Sequence, residues 1–123
     1  MSKKILIVDD EQNIVISLEF LMKREGYEVS IASDGEEAVA RIRAEQPDLV
    51  LLDVMMPRKG GFEVCQEVKS DPALKAVRIL MLTAKGRDTE VARGLAMGAD
   101  AYMTKPFSTR DLVEKVRAML AEA

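Results

Sequence analysis

Five apolar runs of strand length alternate with segments of helical period along all 123 residues, and that alternation constrains the fold more than any other feature. Strands separated by helices cannot pair as hairpins. Each returns to its sheet by a crossover, so the strands run parallel and helices cover both faces. The runs are 5–8 (Ile-Leu-Ile-Val), 27–32, 49–52 (Leu-Val-Leu-Leu), 77–82 and 101–103. The first and third lack polar alternation, as expected of strands buried on both faces.

The intervening segments carry helix punctuation. Ile14, Leu18, Leu21 and Met22 recur at helix-face spacing, and Gly26 stands where a C-terminal cap belongs. Asp34, with Glu37 three residues on, is a capping-box signature for a second helix through Ala38, Val39 and Ile42, closed by Pro47. Residues 55–61 read as a loop, with Pro57 and the pair Gly60 and Gly61 as turn signals. Helices are expected over 62–70, ending at Asp71 and Pro72, and over about 90–97, ending before Gly98. Ser108, with Asp111 three residues on, caps a last helix carrying Leu112, Val113, Val116 and Leu120. The expectation is one α/β domain over residues 1–123, of (βα)5 form.

Composition removes several chemistries. There is no His, so no imidazole base, no Ser-His-Asp or Cys-His relay and no histidine-based zinc site. The single Cys65 cannot form an internal disulfide and is expected to be a small buried hydrophobe, consistent with a reducing cytoplasm. No signal-peptide or membrane-spanning run is read in the sequence. The 21 acidic residues against 18 basic ones, a net charge of −3, argue against direct nucleic-acid binding.

What remains is concentrated at the ends of the apolar runs. In an open parallel sheet these ends share one edge, where ligands bind at the point of strand-order reversal. The residues there are Asp9 and Asp10, Asp53, Thr83 and Lys105. Asp10 alone has a simpler reading as a helix cap, and Asp53 alone as a turn former. Together they place three carboxylates, a hydroxyl and an ammonium on one rim. One ammonium leaves two negative charges, and oxygen-only donors suit a hard divalent cation, Mg²⁺ or Mn²⁺. That set points to phosphoryl transfer, with the cation and Lys105 neutralising phosphoryl oxygens and Thr83 donating a hydrogen bond to one of them.

The motifs KILIVDDE, LVLLDVMMP, GGFE, ILMLTA and GADAYMTKPF, in this order and across essentially the whole chain, resemble a receiver domain of the two-component response regulators, of the single-domain chemotaxis type. The resemblance implies a flavodoxin-like strand order 2-1-3-4-5. It implies that Asp53 accepts a phosphoryl group from a phosphohistidine on a histidine kinase or histidine phosphotransfer protein. Asp10 would bind Mg²⁺ directly, Asp9 through water, and Met55 through its backbone carbonyl, with Asp53 also in the metal site. Thr83 and Lys105 would engage the phosphoryl group, and Tyr102 would be the switch aromatic that turns inward with Thr83. The peptide between Lys105 and Pro106 would be cis. The product would be a cytoplasmic switch, not a turnover enzyme, that binds an unknown effector protein according to its phosphorylation state. Arg93 and Tyr102 are the candidates for that effector surface.

Departures from the family pattern are Met55 and Lys85, at positions that line the path of the hydrolytic water, and Lys59 and Gly60 in place of the usual Met-Asp pair. Ala101 replaces one of the paired acids of receivers that dimerise through their last helices, so a monomer or weak dimer is expected. The competing reading is a Mg²⁺-dependent phosphatase of the haloacid-dehalogenase kind. Those enzymes carry D-x-D on the first strand, whereas the two acids here are adjacent. A flavodoxin-like cofactor binder would need a Ser/Thr-rich phosphate loop where this chain has Asp9, Asp10 and Glu11.

Overall fold

In the computed structural model, which describes residues 3–54, 56, 59–84, 88–105 and 107–121, the expected alternation is realised. The strands are β1 (Lys4–Val8), β2 (Glu28–Ala32), β3 (Leu49–Asp53), β4 (Arg78–Ala84) and β5 (Ala101–Lys105). The helices are α1 (Gln12–Arg24), α2 (Gly35–Glu45), α3 (Gly61–Lys69), α4 (Asp88–Ala96) and α5 (Thr109–Ala121). All pairings are parallel and the order is β2-β1-β3-β4-β5, so the order reverses between β1 and β3.

The period-2 alternation of the strands divides the core into two layers. Ile5, Ile7, Leu49, Leu51, Leu80 and Leu82 face α1 and α5, through Leu18, Leu21, Met22, Leu112 and Val116. Leu6, Val8, Val50, Leu52, Ile79 and Met81 face the other side, packing with Ala38, Val39 and Ile42 of α2 and with Phe62, Val64, Cys65 and Val68 of α3. Gly94 of α4 lies against Met81 and Phe62 on that same side. Every residue of β3 is buried, whereas edge strand β5 is nowhere fully buried. Cys65 is buried as expected, and burial pushes its thiol up to about 11.

Local signals placed most boundaries. After α1, Gly26 takes φ +92, Tyr27 N–H donates to Met22 C=O and Gly26 N–H to Lys23 C=O. This closes the helix with a Schellman motif. At α2 the Asp34 carboxylate accepts from Glu37 N–H at 2.9 Å, while Glu37 reaches back to Ser33 N–H at 2.8 Å, one residue before the position of an ordinary capping box. At α5, Ser108 Oγ accepts from Asp111 N–H at 3.0 Å.

Two boundaries differ from expectation. β4 runs on through Thr83 to Ala84, because pairing with Thr104 and Lys105 of β5 extends the ladder. Beyond Asp71 the chain makes a 3₁₀ turn, Pro72–Leu74, capped by the Asp71 carboxylate on Ala73 N–H.

Leu51 is fully buried at the centre of β3. Leu51→Ala should lower unfolding stability by about 2–5 kcal/mol, read from urea denaturation midpoints at unchanged m-value.

Candidate functional site

The C-terminal ends of β1, β3, β4 and β5 bring together the residues expected there. Asp9 and Asp10 follow β1, Asp53 ends β3, and carboxylate oxygens of the three lie within 4.8 Å of one another. Asp9 and Asp53 are buried, whereas Asp10 is exposed. Lys105, the last residue of β5, reaches across the sheet edge to Asp9 Oδ2 at 3.0 Å and Asp53 Oδ1 at 3.4 Å.

Each acid is held differently. Asp9 Oδ2 accepts from Lys105, and Asp9 Oδ1 accepts from Glu11 N–H at 2.9 Å at the start of α1. The cap reading of Asp10 is therefore not realised: Glu11 occupies the N-cap position, its side chain makes no capping bond, and Asp9 takes the amide. Asp10 is not tied down by hydrogen bond or ion pair among the described residues and points its carboxylate into the cluster. Asp53 is set from behind. Gly61 N–H donates to Val54 C=O at 3.0 Å, and a Cβ at Gly61 would collide with the Asp53 carbonyl, so only glycine allows α3 to begin this close to the strand end.

Burial works against the Lys105 ammonium, but the Asp9 hydrogen bond and the charges of Asp53 and Asp9 outweigh it and hold Lys105 above the ordinary lysine value. Thr83 sits in β4 one residue past Leu82, the partner of Asp53 in the ladder. It is 1% exposed, and its hydroxyl has no hydrogen-bond partner among the described residues. A buried hydroxyl left unpaired costs about 1–3 kcal/mol, which an acceptor brought to this edge would relieve.

Among the described residues the site offers three convergent carboxylates and one ammonium, without imidazole or thiolate, a set that fits a hard divalent cation. Tyr102 lies on β5 and is 44% exposed, turned away from the core. Arg93 of α4 is also exposed, its guanidinium 4.5 Å from the centroid of the Phe62 ring. Met55, Lys85 and the Lys105 to Pro106 peptide cannot be placed in this geometry, since Met55, Lys85 and Pro106 lie outside the described residues.

The model of the response regulator receiver domain matches residues 5–117, which include this strand-order reversal and the residues at its carboxyl edge. The chain belongs to that family. Members take up a phosphoryl group on an aspartate in two-component signalling. The receiver is similar to the alkaline phosphatase synthesis transcriptional regulatory protein PhoP of Bacillus subtilis, at 49% identity over 120 residues, 98% of this chain and 49% of that protein. The chain thus spans about half the length of that curated relative, 49%. A chemotaxis response regulator of Vibrio cholerae superposes with a TM-score of 0.90 at 33% identity, covering 97% of this chain and 99% of that one. A response regulator receiver domain protein of Methanospirillum hungatei gives 0.92 at 35%, covering 99% and 96%. The chain is a signalling receiver, and the phosphatase and flavin-binder readings give way to it. No helix among the described residues is long and apolar enough to cross a membrane.

The Lys105 bridge has a pH signature. Its folded pKa lies above the unfolded one, so its contribution to stability is complete below the ordinary lysine value of 10.5 and lost as pH rises through the raised value. Lys105→Met should cost about 3 kcal/mol at neutral pH, because it strands the buried Asp9 carboxylate. The gap between the two proteins should narrow above pH 10.5, as measured by urea denaturation along a pH series.

Proposed function

We propose that the receiver takes a phosphoryl group onto Asp53 from a phosphohistidine on a partner histidine kinase or histidine phosphotransfer protein. The observation that carries this reading is the convergence of Asp9, Asp10 and Asp53 with Lys105, beside a buried Thr83 hydroxyl that has no hydrogen-bond partner among the described residues.

A carboxylate oxygen of Asp53 attacks phosphorus. The O–P bond forms as the P–N bond to the donor imidazole breaks, the imidazole leaves with its nitrogen electron pair and takes a proton, and an acyl phosphate results. The donor supplies the imidazole, and this chain has no His of its own. Asp10 would hold Mg²⁺ directly and Asp9 through water, with Asp53 and the Met55 carbonyl completing the ligand set. When bound, the ion supplies positive charge against the phosphoryl oxygens and their partners during transfer. Lys105 stands 3.4 Å from Asp53 and binds a phosphoryl oxygen there, while the Thr83 hydroxyl donates to another. Water attacking the same phosphorus later returns Asp53 to its carboxylate, so the domain catalyses only its own phosphorylation and reset.

The output is a change of surface. As Thr83 is drawn toward the phosphoryl group, Tyr102 turns from its exposed position inward, and the face bearing Tyr102 and Arg93 presents a different shape to an effector protein. The chain acts as a single receiver domain over residues 1–123, in the cytoplasm, as a monomer or weak dimer.

Acetyl phosphate with Mg²⁺ should add one phosphoryl group to the unsubstituted protein, as read by intact-mass spectrometry, and none to Asp53→Asn. Full labelling of Asp53→Asn would remove Asp53 from the acceptor role. Asp10→Asn should retain the fold and require at least about tenfold more Mg²⁺ for half-maximal labelling, as expected on losing a direct ligand charge.

A further inference from the structure

The acceptor strand is braced from a direction that neither the motif residues nor the metal cluster use. Lys59 precedes Gly60 and Gly61, and its ammonium binds Glu67 Oε1 of α3 at 2.6 Å. The other oxygen of the same carboxylate, Oε2, receives Arg43 of α2 at 3.4 Å, and Arg43 also holds Asp71 Oδ2 at 2.5 Å. Glu67 is therefore a two-armed bridge. One arm reaches the turn in front of α3, and the other reaches α2.

The backbone of that turn is clamped at both ends. A Cβ at Gly35, the first residue of α2, would fall on the Lys59 carbonyl oxygen, and a Cβ at Gly61 would fall on that of Asp53. Lys59 thus has its main chain wedged against α2, while the turn that follows it presses on the acceptor residue. Its side chain is only 27% exposed, unusually covered for a lysine in a surface loop. The Glu67 hydrogen bond acts first in holding the ammonium above the ordinary lysine value, burial opposes it, and Glu67, Glu36 and Glu63 add their charges.

We infer that Lys59 is a positioning residue for the Asp53 site: its ion pair with Glu67 holds the Gly60 and Gly61 turn against the end of β3, and so keeps the Asp53 carboxylate in register with Asp9 and Asp10. This deepens the proposed phosphoacceptor reading and rests on it. Releasing the side chain lets the turn move away from Asp53, and the three carboxylates are then held together less often. A partly covered surface pair of this kind contributes little to global stability, so its effect falls on the segment it pins.

The test uses the whole chain as Lys59→Met, Glu67→Gln, the double variant, Lys59→Arg, and Arg117→Gln, which breaks a remote surface pair with Glu25. Three quantities are measured: the Mg²⁺ dissociation constant by calorimetry, amide hydrogen exchange without metal, and the thermal midpoint. Each single variant should bind Mg²⁺ about threefold more weakly, and the double variant no more weakly than Glu67→Gln, which already removes the Lys59 pair together with the second arm to Arg43. The Gly61 amide should exchange about threefold faster in metal-free protein, while the Leu51 amide keeps its rate. Lys59→Arg, which keeps the cation, and Arg117→Gln should match the unsubstituted chain.

Unchanged Mg²⁺ affinity and Gly61 exchange in Lys59→Met overturn the inference. So does faster exchange at Leu51 in step with Gly61, because that marks general loss of stability. If the unsubstituted chain binds Mg²⁺ and is labelled on Asp53 while Lys59→Met is indistinguishable from it, only the role of Lys59 falls. If the unsubstituted chain binds no Mg²⁺, the phosphoacceptor reading falls with it.

Discussion

Asp9 and Asp53 are both buried at the same sheet edge, and the structure depends on the one ammonium placed between them. Two carboxylates this close repel, and a cation placed between them offsets that repulsion. Lys105 supplies that charge, and it comes from an edge strand whose own packing is weak: β5 alternates between half-buried and exposed residues. The cross-sheet bridge at 3.0 and 3.4 Å therefore ties the weakly buried edge strand to the buried strands β1 and β3. On the phosphoacceptor reading, stability and chemistry share one interaction, because the ammonium that offsets the repulsion between the acids is also the one that meets the incoming phosphoryl group.

The sheet itself was plain in the sequence because its signal is redundant. Four consecutive apolar residues in each of the first and third runs, separated by helical periods, leave a parallel sheet as the simple arrangement, and the observed layers follow from which residues are odd or even along those runs. Helix ends were equally legible where a residue does one local job, as at Gly26, Asp34 and Ser108. The strand order was not in the periodicity. It came from the resemblance carried by the motifs, because crossover direction depends on which helix covers which face, a choice that local patterning does not encode.

Within the site, membership was legible and division of labour was not. Residues at strand ends converge by topology, so Asp9, Asp10, Asp53, Thr83 and Lys105 could be named together without knowing a single distance. Which acid meets Lys105, and which has no partner among the described residues, depends on side-chain directions across the ladder. Asp9 rather than Asp10 takes the Glu11 amide, because Asp9 is the buried member of the pair. The Lys59, Glu67 and Arg43 chain carried no motif at all. Its members come from a loop and two helices, and only the packing of α2 against α3 reveals the spacing that joins them. Gly61 was visible only as a turn former, whereas its deeper role is the close approach of α3 to the Asp53 carbonyl.

On the phosphoacceptor reading, the two Lys105 distances define what phosphorylation must change. In the unphosphorylated domain the ammonium is nearer Asp9 than Asp53, at 3.0 against 3.4 Å, and so spends its strongest hydrogen bond on a residue that is not the acceptor. A phosphoryl group on Asp53 adds negative charge on its side of the ammonium. At separations near 4 Å and an effective dielectric of about 20, each unit of charge is worth about 4 kcal/mol, more than the difference between two similar hydrogen bonds. Lys105 is then drawn from Asp9 toward the phosphoryl oxygens. Thr83, with nothing to give up because its hydroxyl has no partner among the described residues, follows without a competing bond to break. The two groups respond to the same charge through opposite starting conditions, one already committed and one uncommitted. A small chemical change at Asp53 is thereby felt on both β4 and β5, the strands that carry Thr83 and the exposed Tyr102.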